Sequence, residues 1–290
     1  MIPLAGCPLN QRPRRTKGWS YNEPRVCEDP TRDEKDTMPK LAGNFSMMFG
    51  EVDMLERFEV AARVGFRGAE IQSPYGQTSA EIAQAYRTSG LEAVLFNVPA
   101  AVGALPGQES DFEAGFARAL EYAGAAGCGQ IHCLAGSTND SRAETTFVSN
   151  LRRASAAARP LGVRLLLEPL NTQDNPGYFL TRSAQARRII DLVGEDNVFL
   201  QYDVYHMQIM EGYLAETIKA NLDIISHIQI AGVPGRHEPG ATQEVNYPYL
   251  FEVLDDAGYD RWVACEYRPL SDTLTGLEWA RPYGITPDAR

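Results

Sequence analysis

Positive charge is what this sequence has too little of: 27 lysines and arginines stand against 38 aspartates and glutamates, a formal net charge of −11. That balance argues against a nucleic-acid or anionic-membrane surface. It leaves room for a small anionic substrate, because a local arginine, a metal or helix N-termini can reverse the field inside one pocket. Cysteine is also scarce. Cys7, Cys27, Cys128, Cys133 and Cys265 are odd in number and carry no CxxC spacing. They read as free thiols in a reducing compartment rather than as a disulfide frame. No apolar run reaches the roughly 18 residues that span a bilayer. The expectation is a soluble, cytoplasmic protein. Phosphate turns are missing too: no GxGxxG follows the first strand-like run, and neither a P-loop nor a GxSxG elbow is present.

Residues 1–37 hold five prolines and mixed charge with no helical or strand period. Arg14-Arg15 is followed by no apolar stretch, which excludes a twin-arginine export signal. The segment reads as a disordered N-terminal extension, or as an upstream start ahead of Met38, and residues 38–290 as a single catalytic domain.

In that body, short β-rich runs alternate with amphipathic stretches. The runs are Leu41–Phe49, Gly68–Gln72, Leu91–Val98, Gln130–Ala135, Val163–Leu170, Val198–Val204, Ile224–Ala231 and Trp262–Tyr267. Several are nearly all apolar, as parallel strands covered on both faces require. Between them Met54, Leu55, Phe58, Ala61 and Ala62, and later Phe112, Phe116, Leu120 and Ala123, recur at helical spacing. Gly65, Gly90, Gly127, Gly162, Gly194 and Gly258 each stand where a helix would end before a strand. A βα unit repeated about eight times predicts an α/β fold of the (β/α)₈ TIM-barrel type.

Such barrels assemble their sites from the C-terminal ends of the strands. The last four runs each carry one oxygen-bearing side chain there: Glu168, Asp203, Gln229 and Glu266, separated by 35, 26 and 37 residues, about one βα unit each time. Carboxylates at the ends of apolar strands are costly unless paired or bound to metal. Any one of the four could be a rim ion pair, but the four together point to a divalent ion. A hard, oxygen-rich set favours Mg²⁺ or Mn²⁺. His206 lies three residues past Asp203, where it can donate to a substrate. Arg236 sits in a Gly/Pro-rich loop at the same face and could fork a carboxylate. Glu70 and Asn97, at the ends of the second and third runs, are further candidates. His227 reads as a satisfied interior histidine one layer below Gln229, and His132, Cys133 and Cys265 as packing residues.

These residues resemble hydroxypyruvate isomerases. The resemblance rests on Asn44-Phe45-Ser46-Met47-Met48-Phe49-Gly50-Glu51, Glu168-Pro169-Leu170-Asn171, Gln201 to Gln208 with its Asp-x-Tyr-His-Met-Gln block, His227-Ile228-Gln229-Ile230-Ala231 and Cys265-Glu266-Tyr267. It extends through Arg236, Glu238-Pro239-Gly240 and Asn246-Tyr247-Pro248-Tyr249-Leu250, covering about residues 40–280. Two departures, the short segment 101–107 and Gly232-Val233 in place of Asp-Asn, fall on catalytic-face loops and bear on substrate identity.

The resemblance implies Glu168 and Glu266 as acid/base pair and metal ligands, Asp203 and Gln229 as further ligands, and His206 and Arg236 facing substrate. The reaction expected is interconversion of hydroxypyruvate and tartronate semialdehyde through an enediolate whose charge a divalent ion would carry. The substrate is then a small anionic hydroxy or oxo acid, with no nucleic-acid or membrane partner, and homo-oligomer formation stays open. A sibling isomerase or 3-epimerase acting on a ketose or a 2-oxo-tetronate is the alternative, and a non-catalytic metabolite-binding barrel is a third reading. A zinc endonuclease of the same barrel class needs many histidines and a basic face. This chain has four histidines and an acidic balance.

Overall fold

The computed structural model describes residues 39–288; the extension expected over residues 1–37 lies outside the described residues. Eight strands run Lys40–Asn44 (β1), Gly68–Ile71 (β2), Glu92–Asn97 (β3), Gln130–His132 (β4), Arg164–Leu167 (β5), Val198–Asp203 (β6), Ile225–Ile230 (β7) and Trp262–Cys265 (β8). They pair in sequence order, all parallel, and β8 returns to β1 to close a barrel. Helices Glu56–Arg63 (α1), Ser79–Ser89 (α2), Glu109–Ala126 (α3), Ala143–Ala158 (α4) and Ser183–Val193 (α5) cross between the first six strands. Val204–Met210 (α6) and Leu214–Asn221 (α7) follow β6, Tyr247–Asp256 (α8) follows β7 and a short helix, Thr273–Gly276 (α9), follows β8.

Each strand is shorter than its apolar run, and local chemistry says why. β1 stops at Asn44 because its Oδ1 accepts from the backbone N–H groups of Ser46 at 3.0 Å and Met47 at 3.1 Å, folding the chain into a turn. β5 stops at Leu167, two residues before Pro169, which has no N–H to give a ladder. The helix ends behave as the glycine spacing implies. Gly90, Gly127, Gly162, Gly194 and Gly258 lie at φ between 68° and 73°, the left-handed conformation open to glycine at little cost.

Two apolar layers hold the fold. Leu165 and Leu167 of β5 pack outward into the large core beneath the helices, while Leu166 points into the barrel with Ala42, Val94, Leu95 and Ala264. Gly68 keeps this floor narrow: a Cβ there would lie 2.8 Å from Val94 Cγ2 and 2.9 Å from the Trp262 ring. The two-residue period of a strand then carries the inward row from Leu166 to Glu168 and from Ala264 to Glu266. Above the apolar floor the barrel interior turns polar. Asn44, Glu70, Gln130, His132, Gln201 and His227 are all buried there. The ladder registers shift between Ala69 and Glu70 and between Leu200 and Gln201, irregularities that re-aim side chains at this boundary.

Candidate active site

At the C-terminal mouth, strand geometry and side-chain length bring the acids together. Asp203 is both the last residue of β6 and the N-cap of α6. Its Oδ1 accepts from the Tyr205 backbone N–H at 2.8 Å, which fixes the carboxylate and leaves Oδ2 facing the barrel axis. Glu168 follows β5 directly and Glu266 follows β8; both are buried, with 5% and 3% exposure. Glu168 Oε1 and Glu266 Oε2 have no hydrogen-bond partner. Two orphaned carboxylate oxygens inside a protein are expensive unless a cation or a proton satisfies them. Burial raises the Glu168 carboxyl well above the usual carboxylate range, and the charges of Glu266 and Asp203 push it further. Burial also raises Glu266, with Arg236 pulling it back down.

One protein cation enters this cluster. Arg236 places Nη2 3.0 Å from Asp203 Oδ2 and 2.5 Å from Glu266 Oε1, with its guanidinium over the Tyr205 ring at 4.8 Å. Burial would lower the guanidinium pKa, but Glu266 and Asp203 hold it above its ordinary value. A single positive charge faces three carboxylates, and Arg236 Nε, itself buried, has no partner.

His206, on the first turn of α6, supplies a donor. Its Nδ1 accepts from the Asn171 backbone N–H at 3.1 Å, so the neutral ring carries its proton on Nε2. That nitrogen lies 3.5 Å from Asp203 Oδ2 and 3.9 Å from Glu168 Oε1. Burial lowers the ring's pKa to about 4, keeping it neutral near neutral pH. Ligand atoms of Glu168, Asp203 and His206 all fall within 4.8 Å of one another, a spacing that could hold a metal ion. The backbone donor on Nδ1 makes Nε2 a hydrogen-bond donor rather than a lone-pair ligand, so the oxygens are the atoms suited to a cation.

Gln229 is held from both ends. Its Nε2 donates to Glu70 Oε1 at 2.8 Å and its Oε1 accepts from Gln201 Nε2 at 2.6 Å, which leaves one Oε1 lone pair uncommitted. Register puts Gln229 opposite Asp203 on one side and opposite Ala264, two residues below Glu266, on the other. Both oxygens of Glu70 are taken by protein donors: Asn44 Nδ2 at 2.6 Å and Gln229 on Oε1, His227 Nε2 at 2.6 Å on Oε2. The structure thus commits Glu70 to the barrel interior, and His227 is the interior histidine that its position below Gln229 implies, though only half satisfied: Nε2 donates to Glu70 while the buried Nδ1 has no partner. Asn97 closes β3 with 8% exposure and an unpartnered Oδ1. The packing reading suits Cys133 and Cys265, which are buried in the core, but not His132. Its Nδ1 lies 3.4 Å from Glu168 Oε2 and neither ring nitrogen has a hydrogen-bond partner.

Three further groups take their places in the site from the fold. Gln201 orients Gln229; Gln72 donates to Glu266 Oε1 at 2.9 Å; Tyr205 donates to Asp174 at 2.7 Å and floors the Arg236 guanidinium. The inward period of β6 could have flagged Gln201, two residues before Asp203. Nothing in the sequence ties Gln72 to a residue 194 positions away. Arg236 and Tyr205 also line a cavity of about 830 Å³, together with Gln173, Gln208, Glu244 and Arg268, among others.

The model for the xylose isomerase-like TIM barrel matches residues 58–283. The chain belongs to that family. It is 46% identical over 258 residues to 2-oxo-tetronate isomerase of Cupriavidus necator, covering 85% of this chain and 99% of that one. It is 43% identical to hydroxypyruvate isomerase of Escherichia coli, again over 85% of this chain and 100% of the relative. A solved structure described as AP endonuclease, family 2, from Brucella melitensis superposes with a TM-score of 0.83 at 42% identity, covering 85% of this chain and 99% of that chain. With isomerases matched over their full length, this member of the family is an isomerase-type enzyme. Among the described residues no helix is long and apolar enough to cross a membrane.

Proposed function

We propose that the chain, through a catalytic domain spanning residues 38–290, interconverts hydroxypyruvate and 2-hydroxy-3-oxopropanoate by carboxylate-mediated proton transfer. One observation carries the reading. Two buried glutamates flank one mouth, each with a carboxylate oxygen that no protein group satisfies. In the forward direction one glutamate takes a proton from the hydroxymethyl carbon and forms an enediolate. The other returns a proton to the adjacent carbon, while the hydroxyl proton passes from one oxygen to its neighbour. Atoms and electrons balance with no external oxidant or reductant. Raised carboxyl pKa values suit this work, since an acid/base group is most effective when it titrates near the working pH.

His206 donates Nε2–H to a substrate oxygen, and Arg236 Nε offers a second donor. Glu70 acts through Gln229, whose amide it orients. Glu168, Asp203, Glu266 and the free lone pair of Gln229 Oε1 form the donor set for Mg²⁺ or Mn²⁺; hard oxygens around orphaned carboxylates fit such an ion. When bound, a divalent cation supplies Lewis-acid stabilisation of charge developing on the substrate oxygens.

The second reading is isomerisation of a four-carbon 2-oxo-tetronate, favoured by the name of the 46% identical relative. DNA cleavage is disfavoured by the chain's four histidines and net charge of −11. The deciding experiment runs the magnesium-loaded protein on hydroxypyruvate and on 2-oxo-tetronate in D₂O. Deuterium bonded to carbon in the product is expected, with hydroxypyruvate preferred. Turnover of the four-carbon acid alone moves the assignment to the sibling activity, and turnover of neither acid removes both.

A further inference from the structure

A small anionic substrate entering this mouth meets three carboxylates on a chain of net charge −11. The one cation among them, Arg236, is already committed through Nη2 to Asp203 and Glu266. A second, uncommitted guanidinium is better placed to fork the substrate's carboxylate. Arg268 has the position for it. The residue lines the same cavity as Arg236 and Tyr205, is exposed, and has no hydrogen bond or ion pair from its side chain among the described residues.

Its placement follows from the fold: β8 ends at Cys265, and Arg268 stands three residues beyond it, on the segment that lines the cavity beside Arg236. Pro269 confines the Arg268 backbone to the extended region. Neighbouring segments clamp that backbone further: Arg268 N–H donates to the Arg236 carbonyl at 3.0 Å, and His237 Nδ1 donates to the Arg268 carbonyl at 2.8 Å. The nearby acids are otherwise engaged. Asp174 accepts from Asn171 and Tyr205, and Glu244 accepts from Gln208. A free guanidinium thus lines the cavity beside Arg236, on a backbone held from both sides.

We propose that Arg268 is the specificity residue for acid substrates. Its guanidinium forks the terminal carboxylate, while the two reacting carbons lie between Glu168 and Glu266. This inference rests on the isomerase reading, and it separates recognition of the acid from chemistry at the neighbouring carbons. The guanidinium–carboxylate distance to the glutamates then sets which chain length places its carbonyl and hydroxyl carbons at the acid pair.

The test compares the parent with Arg268→Gln and Arg268→Lys. Steady-state kinetics on hydroxypyruvate should show KM raised about 10- to 100-fold in Arg268→Gln, the loss of a charge-assisted pair, with kcat within about threefold. Arg268→Lys, which keeps the charge and loses the fork, should fall between. Dihydroxyacetone, in which CH₂OH replaces the carboxylate, should show the same KM in parent and variants. Calorimetric titration of the magnesium-loaded proteins with D-glycerate, an acid that does not isomerise by this route, should weaken by a similar factor in Arg268→Gln. Thermal midpoints should agree within about a degree, because the side chain is exposed and unpaired. An unchanged KM together with unchanged glycerate binding overturns the proposal. A parent that turns over neither acid sinks the isomerase reading, while the glycerate titration still tests Arg268.

Discussion

At the scale of single residues, the acid cluster carries a cost in stability. Glu168 is buried, pushed up in pKa, and has one oxygen without a partner. Glu168→Gln keeps the shape and removes the charge. We expect kcat to fall by about 10³, within the range for losing a positioned acid or base. The metal-free protein should melt at the same temperature or higher at pH 8, because an uncompensated buried carboxylate has been neutralised. Kinetics paired with calorimetry checks both halves; a variant that loses activity and also melts well below the parent would mean that Glu168 is structural. Glu168, Asp203 and Glu266 were legible because each is an acid at the end of an apolar strand, where burial makes a charge conspicuous. His132 was not. In sequence it is one polar residue in a strand, and only the barrel's curvature turns its ring toward Glu168.

At the scale of elements, the loops are tied to strand ends at specific close approaches. The short segment 101–107 lies against β4 and its exit, with Gly103 N–H and Ala104 N–H donating to the carbonyls of Leu134 at 3.0 Å and Ala135 at 2.7 Å. Gly136 makes that approach possible. It sits at φ +91°, and a Cβ would press onto the Ala101 carbonyl oxygen and lie 2.6 Å from Leu105 Cδ1. Gly136→Ala combines a strained backbone with a clash, so a loss of about 3 kcal/mol is expected. In a domain of this size that lowers the thermal midpoint by roughly 6–12 °C. A shift under about 2 °C would show that the loop yields freely. The number and order of the βα units came from the alternation of apolar runs and glycine stops. Strand ends did not, because an apolar run says nothing of where the ladder loses its partner. The Asn44 turn and the Pro169 stop decide that locally, and the neighbouring strand decides it elsewhere.

At the scale of the whole molecule, three carboxylates around one arginine make the fold's stability depend on pH and cation together. The folded-state pKa values of Glu168 and Glu266 are raised. Their contribution is therefore fully present below the unfolded carboxyl value of about 4.3 and is lost as pH rises through the folded values. The proposed Mg²⁺ or Mn²⁺, bound to the ionised oxygens, would reverse that loss. At a hundred times its dissociation constant such an ion adds about 2.7 kcal/mol, or roughly 5–10 °C in a domain of this length. The metal-induced shift in midpoint should be larger at pH 8 than at pH 5, measured by scanning calorimetry with and without a chelator. An equal shift at both pH values would place the ion away from these glutamates.

Chain order and polarity alone settled the eightfold repeat, the apolar strands and the four oxygen-bearing strand ends. A two-residue period and a glycine at most helix exits are properties of the local chain, independent of what packs beside it. Tertiary structure decided the rest. Barrel closure set Glu70 under Gln229, turned His206 into a fixed donor through the Asn171 backbone, and brought Arg268 to the cavity that Arg236 lines. Those relations depend on stagger between strands and on hydrogen bonds across the barrel, distances that no spacing along one chain encodes.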